Sequence, residues 1–318
     1  MDLIIKQGIA DKLKLYIKEH NITQITVSKI TNIRKEHVSN ILNDKFTYNA
    51  GKGKVGDIAD KYFIDLAELV DFQWRKKYWE NKATSQFVQM LDILESAKKH
   101  AQTRLIIGET GSGKSHSIKL YKKQHPYDVF SVTVGSEDTL NGLLDKVARA
   151  IGIAVPSHKS AKIREISTHL KNLKREGETP QLIFDEGEYF KTAALCSIKE
   201  FYDYLFGDCS IVIIGTSQLI DQIERLRKRD AKGIPQLYRR IKFGKRYLQP
   251  IDRRFVDFLG NLKDRKVVKW LQNNCANYGE LHDVLVPCNR EADRLEQPLT
   301  LNLISKVLNI PIHNSDVE

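Results

Sequence analysis

Residues 104–115 read RLIIGETGSGKS, and this stretch decides the fold of the chain. An apolar strand comes first, a glycine-rich loop follows it, and HSIKLYKK then predicts a helix. The glycines let successive backbone N–H groups turn towards a phosphate chain, and the helix start adds the positive end of its dipole. The spacing is that of a Walker A motif, in which Lys114 reaches the outer phosphates and Ser115 ligates magnesium. The predicted nucleotide-binding residues of this segment are Gly108, Glu109, Thr110, Gly111, Ser112, Gly113, Lys114, Ser115 and His116.

A second apolar strand brings two acids to the carboxyl edge of the predicted sheet. Residues 182–186 read LIFDE. Asp185 is expected to hold Mg²⁺ through water, so Ser115 and Asp185 form the predicted metal site. Glu186 is placed to orient and polarise the attacking water, the role that separates hydrolysing nucleoside triphosphatases from proteins that only bind the nucleotide.

The middle of the chain alternates short apolar strands with amphipathic helices. Continuous apolar strands indicate a parallel sheet covered on both faces, which is an α/β fold. The strands are predicted at residues 104–108, 129–134, 181–185, 210–215 and, more weakly, 245–248. Thr216 follows the fourth of them. Its hydroxyl could bind the attacking water or the γ-phosphate as a sensor, or it could cap the next helix, and the sequence leaves both alternatives open.

The first 70 residues predict a separate all-α domain, in which Ile9, Leu13 and Ile17 form one apolar face. The segment Thr23–Leu42 predicts two helices with a turn near Asn32, and it resembles the helix-turn-helix of the Cro and phage-repressor class. Polar residues at the exposed start and outer face of the second helix would then contact DNA. The alternative is a three-helix bundle for protein contacts, in which the same residues are only solvated. They are Arg34, Lys35, His37 and Asn40, with Asn43 beside them.

The remaining boundaries follow from changes in composition. Residues 48–56 (YNAGKGKVG) suit a flexible basic loop or wing. Residues 71–102 predict a linker followed by a periodic helix from Ser85 to His100. The ATPase core is predicted over residues 103–250, and a small helical lid over residues 251–318.

Charge indicates the class of partner. Lys and Arg number 51 against 40 Asp and Glu, a net charge of +11. Twelve of these cations, with only three acids, lie between residues 222 and 254. Such an excess favours polyanionic partners. No apolar run approaches the roughly 20 residues that a membrane span needs, and the N-terminus lacks a signal-peptide pattern, so we expect a cytoplasmic protein with no membrane partner.

Together, several motifs resemble those of AAA+ ATPases. They are the Walker A loop at 108–115, the acids at 185–186, the polar strand end at Thr216 and the PQLYRR segment at 235–240. Among these ATPases the chain is similar to the Mu B and TnsC-like proteins, the target-DNA selectors of transposition systems, and the likeness in domain order covers almost its whole length. The implied architecture is an AAA+ P-loop parallel sheet with helices on both faces, a helix-turn-helix domain before it and a helical lid after it.

The resemblance implies that the chain binds ATP with Mg²⁺ and hydrolyses ATP slowly, with stimulation by DNA. It also implies a homo-oligomeric helical filament on double-stranded DNA, which presents that DNA to a DDE transposase and disassembles on hydrolysis. A neighbouring subunit would insert an arginine towards the γ-phosphate, with Arg240 as the first choice and Arg239 as the second. The alternative functions are a replication-initiator or helicase-loader ATPase of a phage or mobile element, and a regulator for which the nucleotide is only a conformational ligand.

The chain departs from the wider AAA+ pattern at the lid. Many members place a sensing arginine in a Gly-x-x-Arg segment, where this chain has His282 in GELH. His282 is therefore a predicted nucleotide contact that is mostly uncharged at neutral pH. By correspondence with the family, the DNA-facing residues of the ATPase core are Lys159, Lys162 and Arg164. The basic stretch at 225–232 is a competing site for DNA or for a neighbouring subunit.

Overall fold

The computed structural model describes residues 1–51, 53–74 and 76–312. They divide into two compact units. The first contains Met1–Lys77 and Leu120–Val129, and the second contains Tyr78–Lys119 and the residues from Phe130 onward. The domain limits predicted at residues 70, 102 and 250 stay predictions. None of the described helices combines the length and the apolar character that a membrane crossing requires.

The first unit is helical with one hairpin. Its elements are α1 (Leu3–Glu19), α2 (Gln24–Thr31), α3 (Lys35–Leu42), β1 (Thr47–Gly51), β2 (Lys54–Asp57) and α4 (Asp60–Leu69). Thr23 starts α2 by accepting a hydrogen bond from the backbone N–H of Thr26. Asn32 ends α2 in the left-handed conformation, with φ 55°, which asparagine adopts more readily than most residues. The two helices expected around Asn32 are therefore present.

The hairpin lies where the sequence favoured a flexible basic loop or wing. Strands β1 and β2 pair antiparallel, with Thr47 opposite Asp57. The first domain therefore contains a small sheet in addition to its helices. Lys52 in this segment, like Arg75 in the predicted linker and residues 313–318 of the predicted lid, lies outside the described residues.

His37 corrects one expectation about the second helix of the pair. Its side chain was expected on the exposed outer face of α3, but the residue is only 4% exposed. The imidazole packs edge-on against Tyr48 of the hairpin, with ring centroids 4.9 Å apart, and lies 5.4 Å from the ring of Tyr62. The hairpin and α4 thus cover this position, because His37 is on the side of α3 that also buries Val38 and Ile41.

The second unit is built on a five-stranded sheet. Its strands are β3 (Thr103–Ile107), β4 (Val129–Thr133), β5 (Gln181–Asp185), β6 (Ser210–Gly215) and β7 (Lys245–Tyr247), in the order β4-β5-β6-β3-β7. The pairs β3–β6, β3–β7 and β5–β6 are parallel. All five strands agree with the predicted ranges to within one residue at each end.

Helices cover both faces of this sheet, as predicted. They are α5 (Ser85–Lys99), α6 (Lys114–Gln124), α7 (Leu140–Ile151), α8 (Lys159–Arg175), α9 (Thr192–Leu205), α10 (Ser217–Lys228) and α11 (Ile234–Ile241). Ile211 and Ile213 of β6 pack into the cluster formed with α7, α8 and α9. Val212 and Ile214 alternate with them and are equally buried, so they face the opposite side. There α5 packs against β3 and β6.

The C-terminal part is helical, as the sequence predicted from residue 251. Its helices are α12 (Val256–Leu259), α13 (Arg265–Asn274), α14 (Tyr278–Arg294) and α15 (Leu301–Leu308), and they share a separate apolar cluster around Val267, Leu271 and Leu281. Asn277 caps α14 by accepting a hydrogen bond from the N–H of Glu280. This cap positions α14 at the nucleotide site described below.

Candidate nucleotide-binding and hydrolysis site

The loop between β3 and α6 has the backbone geometry of a phosphate-binding loop. Gly111 and Gly113 have φ angles of 71° and 84°, which glycine adopts without strain. The N–H of Gly108 donates to the carbonyl oxygen of Gly215 at 3.1 Å, which ties the start of the loop to the neighbouring strand β6. The loop leads directly into the N-terminus of α6 at Lys114. Backbone N–H groups and a helix start thus converge at one place, where an anion is favoured.

Lys114 curls back over this loop. Its ammonium group donates to the carbonyl oxygens of Gly108 at 3.0 Å and Glu109 at 2.7 Å. Burial lowers the pKa of Lys114, whereas four nearby carboxylates act to raise it, and these belong to Glu188, Asp185, Glu186 and Glu109. The loop therefore holds a partly buried cation that can bind the outer phosphates of a nucleotide.

Two oxygens that suit a magnesium ion meet at the end of β5. The hydroxyl of Ser115 donates to Oδ2 of Asp185 at 2.6 Å, across 70 positions of sequence. A hydroxyl and a carboxylate are the hard oxygen ligands that Mg²⁺ takes, together with waters and nucleotide phosphates. The pair predicted from sequence as the metal site is thus brought together, and its donor set fits Mg²⁺.

Glu186 stands at the turn after β5. Its backbone is in the left-handed region, with φ 57° and ψ 43°, and its N–H donates to Oδ1 of Asp185 at 2.9 Å. Partial burial raises the pKa of Glu186, and the negative charges of Asp185 and Glu188 add to this effect, while Lys114 opposes it. A non-glycine residue in this conformation at a strand end is a feature that functional sites often carry.

A cleft of about 580 Å³ opens beside the loop, at the carboxyl end of the sheet. Open parallel sheets bind their ligands at this edge. The volume falls within the range of roughly 300–1,000 Å³ that small-molecule pockets occupy. Its walls are Ile107, Gly108, Glu109, Thr110, Glu186, Glu188, Tyr189, Thr216, Ser217, Gln218, Tyr247 and Leu248.

Thr216 lies in this cleft at the N-cap position of α10. Its hydroxyl makes no capping hydrogen bond. The oxygen is buried and has no hydrogen-bond partner among the described residues. Of the two roles that the sequence left open, helix capping is not observed, and the hydroxyl stays available for a ligand.

Glu188 is a cleft residue that the sequence analysis missed. One of its carboxylate oxygens accepts a hydrogen bond from the backbone N–H of Thr216 at 3.3 Å. The signal was the third acid of residues 185–188 (DEGE), two positions after Glu186.

The lid contacts the phosphate-binding loop through Asn277 and Ile251, which the sequence did not single out. A Cβ added at Gly111 would lie 2.2 Å from Oδ1 of Asn277, so the α14 cap sits directly against the loop. The carboxylate of Glu109 also accepts the N–H of Ile251 at 3.2 Å, at the start of the lid. His282 instead pairs with Asp283 at 3.0 Å and contacts Trp79 edge-on. Its role as a nucleotide contact stays a prediction, as does that of His116, which bonds Asn81 at 2.7 Å.

The two candidate arginines of α11 differ in their surroundings. Arg240 donates to Oδ1 of Asp203 through Nε at 2.9 Å and through Nη2 at 2.5 Å. Its side chain is 15% exposed and lies against the ring of Tyr202. Arg239 is exposed, and within the described part of the chain its side chain has no hydrogen bond or ion pair. Of these two guanidinium groups, that of Arg240 is therefore the one already engaged.

The predicted DNA-facing residues of α8 also separate. Lys159 and Arg164 are exposed. Lys162 is only 4% exposed, and its ammonium group forms an ion pair with Asp145 of α7. The expectation that Lys162 presents a free charge to DNA is therefore wrong, because α7 covers and neutralises it. In the first unit Arg34 and Lys35 are exposed, and the Asn40 amide donates to the carbonyl oxygen of Thr47 at 2.9 Å.

Comparison with known proteins identifies related sequences. Residues 97–223 match the family described as AAA domain. The chain is 25% identical over 195 residues to the Mu-like prophage FluMu DNA transposition protein B of Haemophilus influenzae. The match covers 60% of this chain and 64% of that relative, less than two thirds of its length.

Comparison of folds finds archaeal structures. The Aeropyrum pernix ORC1 protein, solved in complex with DNA, aligns with a TM-score of 0.54 at 13% identity, over 76% of this chain and 68% of that one. Cdc6p of Pyrobaculum aerophilum aligns with a TM-score of 0.51 at 12% identity, over 76% and 70% of the two chains. The chain has the AAA+ P-loop fold, and 195 of its residues resemble the FluMu transposition protein B.

Proposed function

We propose that this chain is an ATP-dependent DNA-binding ATPase that assembles on duplex DNA and recruits or activates a DDE transposase. The observation that carries the ATPase is that Lys114, the Ser115–Asp185 pair and Glu186 lie together, beside a cleft that Glu186 lines. The similarity to a protein named for DNA transposition supports transposition as the process in which this ATPase acts.

The chemistry follows from the positions of the side chains. Lys114 would bind the outer phosphates of ATP, and the glycine-rich loop would bind them through backbone N–H groups. Ser115 and Asp185 would hold Mg²⁺, which when bound neutralises negative charge on the phosphates. Glu186, when ionised, can accept a proton from a water aimed at the γ-phosphate, and the free hydroxyl of Thr216 can hold that water. Positioning and electrostatic stabilisation supply most of the catalysis in reactions of this class.

Assembly would complete the site. A guanidinium group from a neighbouring copy stabilises charge that develops on the γ-phosphate. Arg239 is the better candidate in the unassembled chain, because Asp203 already holds Arg240. Arg240 could serve only after this ion pair opens.

Contact with DNA would come from exposed cations of both units. In the second unit they are Lys159 and Arg164 of α8 and the end of α10, which carries Arg225, Arg227, Lys228 and Arg229. In the first unit they are Arg34 and Lys35 of the helix pair. Neutralising phosphates releases counterions, so affinity for duplex DNA should fall steeply with added salt.

Glu186→Gln tests the proposed ATPase. The amide keeps the shape of the side chain but cannot accept the proton, so ATP should bind normally while turnover falls by at least roughly a hundredfold. ATP-dependent complexes on DNA should then persist. Glu165→Gln, on the exposed side of α8, is the matched control and should hydrolyse ATP like the unaltered chain. Undiminished turnover in Glu186→Gln would show that Glu186 does not activate the attacking water.

A replication-initiator or helicase-loader ATPase is the second candidate. The observation favouring it is the helix pair with its hairpin, since such a unit can read base edges in the major groove. Competition between one candidate origin sequence and random duplex DNA separates the two. Equal competition supports a transposition regulator, and a preference of a thousandfold or so for one sequence supports an initiator.

A further inference from the structure

Glu188 belongs to a short turn of helix that directly follows Glu186. This 3-10 helix, Gly187–Tyr189, folds back beneath the end of β6. There the Glu188 carboxylate accepts the N–H of Thr216 at 3.3 Å. A Cβ added at Gly215 would lie 2.6 Å from the same carboxylate oxygen. Glycine at 215 therefore lets the acid approach the backbone at the point where β6 ends and α10 begins.

The same carboxylate is in electrostatic contact with the rest of the site. Its negative charge acts on the Lys114 ammonium group, as do those of Asp185 and Glu186. Glu188 also lines the cleft together with Glu186 and Thr216. It is thus close both to the phosphate-binding lysine and to the end of β6.

Thr216 is the group on which Glu188 can act. Its hydroxyl is buried, lines the cleft and has no partner among the described residues. A hydroxyl in this state can bind a water or a phosphate oxygen only if its backbone is fixed, because a displaced hydroxyl no longer reaches the reacting atoms. The hydrogen bond from the Thr216 N–H to Glu188 is a contact that fixes this backbone.

We propose that Glu188 is a positioning residue for ATP hydrolysis, which anchors Thr216 so that the Thr216 hydroxyl holds the attacking water. This inference rests on the proposed ATPase function. Glu188 acts on the water through Thr216, whereas Glu186 accepts the proton.

The test compares Glu188→Gln, Glu188→Ala and the Glu165→Gln control by kcat, KM and affinity for a fluorescent ATP analogue. Glu188→Gln keeps an acceptor oxygen for the Thr216 N–H, so its kcat should stay within a few fold of the unaltered chain. Glu188→Ala loses the acceptor, so its kcat should fall roughly tenfold or more while affinity for the analogue stays within about threefold. Adding Thr216→Ala to Glu188→Ala should cause little further loss, because both changes disable one hydroxyl.

Each outcome is decisive. Glu188→Ala with unaltered kcat, or with ATP affinity reduced in parallel with kcat, would overturn the positioning role. If Glu188→Ala does not fold, unaltered kcat in Thr216→Ala would overturn it instead. An unaltered chain that hydrolyses no ATP would overturn the proposed ATPase itself, and the inference with it.

Discussion

Gly111 is a residue at which the phosphate loop and the lid meet. Its φ of 71° is one that side chains rarely adopt, and the amide oxygen of Asn277 occupies the space that a Cβ would take. The loop conformation and the position of α14 are thus coupled through one glycine.

Gly111→Ala should weaken ATP binding by at least roughly tenfold and lower the free energy of unfolding by about 1–3 kcal/mol. The cost combines backbone strain with a clash against Asn277. Gly177→Ala is the matched control, since φ there is 98° and no atom lies within 4 Å of the added Cβ. Thermal unfolding and ATP titration measure the difference. Equal costs at the two glycines would show that the contact with Asn277 contributes nothing.

The pH dependence of turnover should reflect Glu186. As the proton acceptor it must be ionised, so activity is present above its pKa and is lost as the pH falls through it. Because burial and two negative charges raise this pKa, the loss should begin at a higher pH than an ordinary glutamate would give, about 4.3. The measurement is kcat at saturating ATP across the acidic range. Constant turnover down to pH about 4.3 would contradict the assignment.

Sequence reasoning identified the residues whose chemistry is local. Phosphate binding requires Gly111, Gly113 and Lys114 at fixed spacing, so the loop could be located from residue types alone. Glu188 and Asn277 could not be identified from the sequence, because each matters through a contact with a residue far away in the chain. Glu188 contacts Thr216, and Asn277 lies against Gly111. No local pattern records such a pairing.

At the scale of elements, helix α8 shows what periodicity can and cannot predict. The strands were located to within a residue because continuous apolar runs distinguish buried parallel strands. Lys162 is expected to face DNA by correspondence with the family, yet α7 supplies Asp145 and covers it. Residues 48–56 favour a loop or wing over a hairpin because glycine-rich strands carry a weak signal.

The three basic residues of α8 should therefore behave differently. Lys162→Met should leave the salt dependence of DNA binding unchanged and lower the free energy of unfolding by about 1 kcal/mol, because it breaks an ion pair that is only partly shielded from water. Lys159→Ala and Arg164→Ala should each reduce the slope of log affinity against log salt by about one. DNA titrations at several salt concentrations distinguish them. A reduced slope of log affinity against log salt for Lys162→Met would show that the Lys162 ammonium group contacts DNA, and would contradict this prediction.

At the scale of the whole molecule, we propose that the nucleotide links one copy of the chain to the next. The cleft would hold the triphosphate, and an exposed arginine on α11 of another copy would complete the site. Binding that requires a neighbour makes assembly depend on ATP, and a row of copies adds up individually weak contacts with the phosphate backbone.

Electron microscopy of the chain with a long duplex DNA, with and without a nonhydrolysable ATP analogue, tests this most directly. The account predicts ordered helical filaments on the DNA with the analogue, and no filaments when the nucleotide is omitted or when Lys114→Ala replaces the unaltered chain. Lys174→Ala, an exposed change on α8, should assemble normally. Particles that remain single copies with the analogue, or DNA coated equally well without nucleotide, would contradict the account.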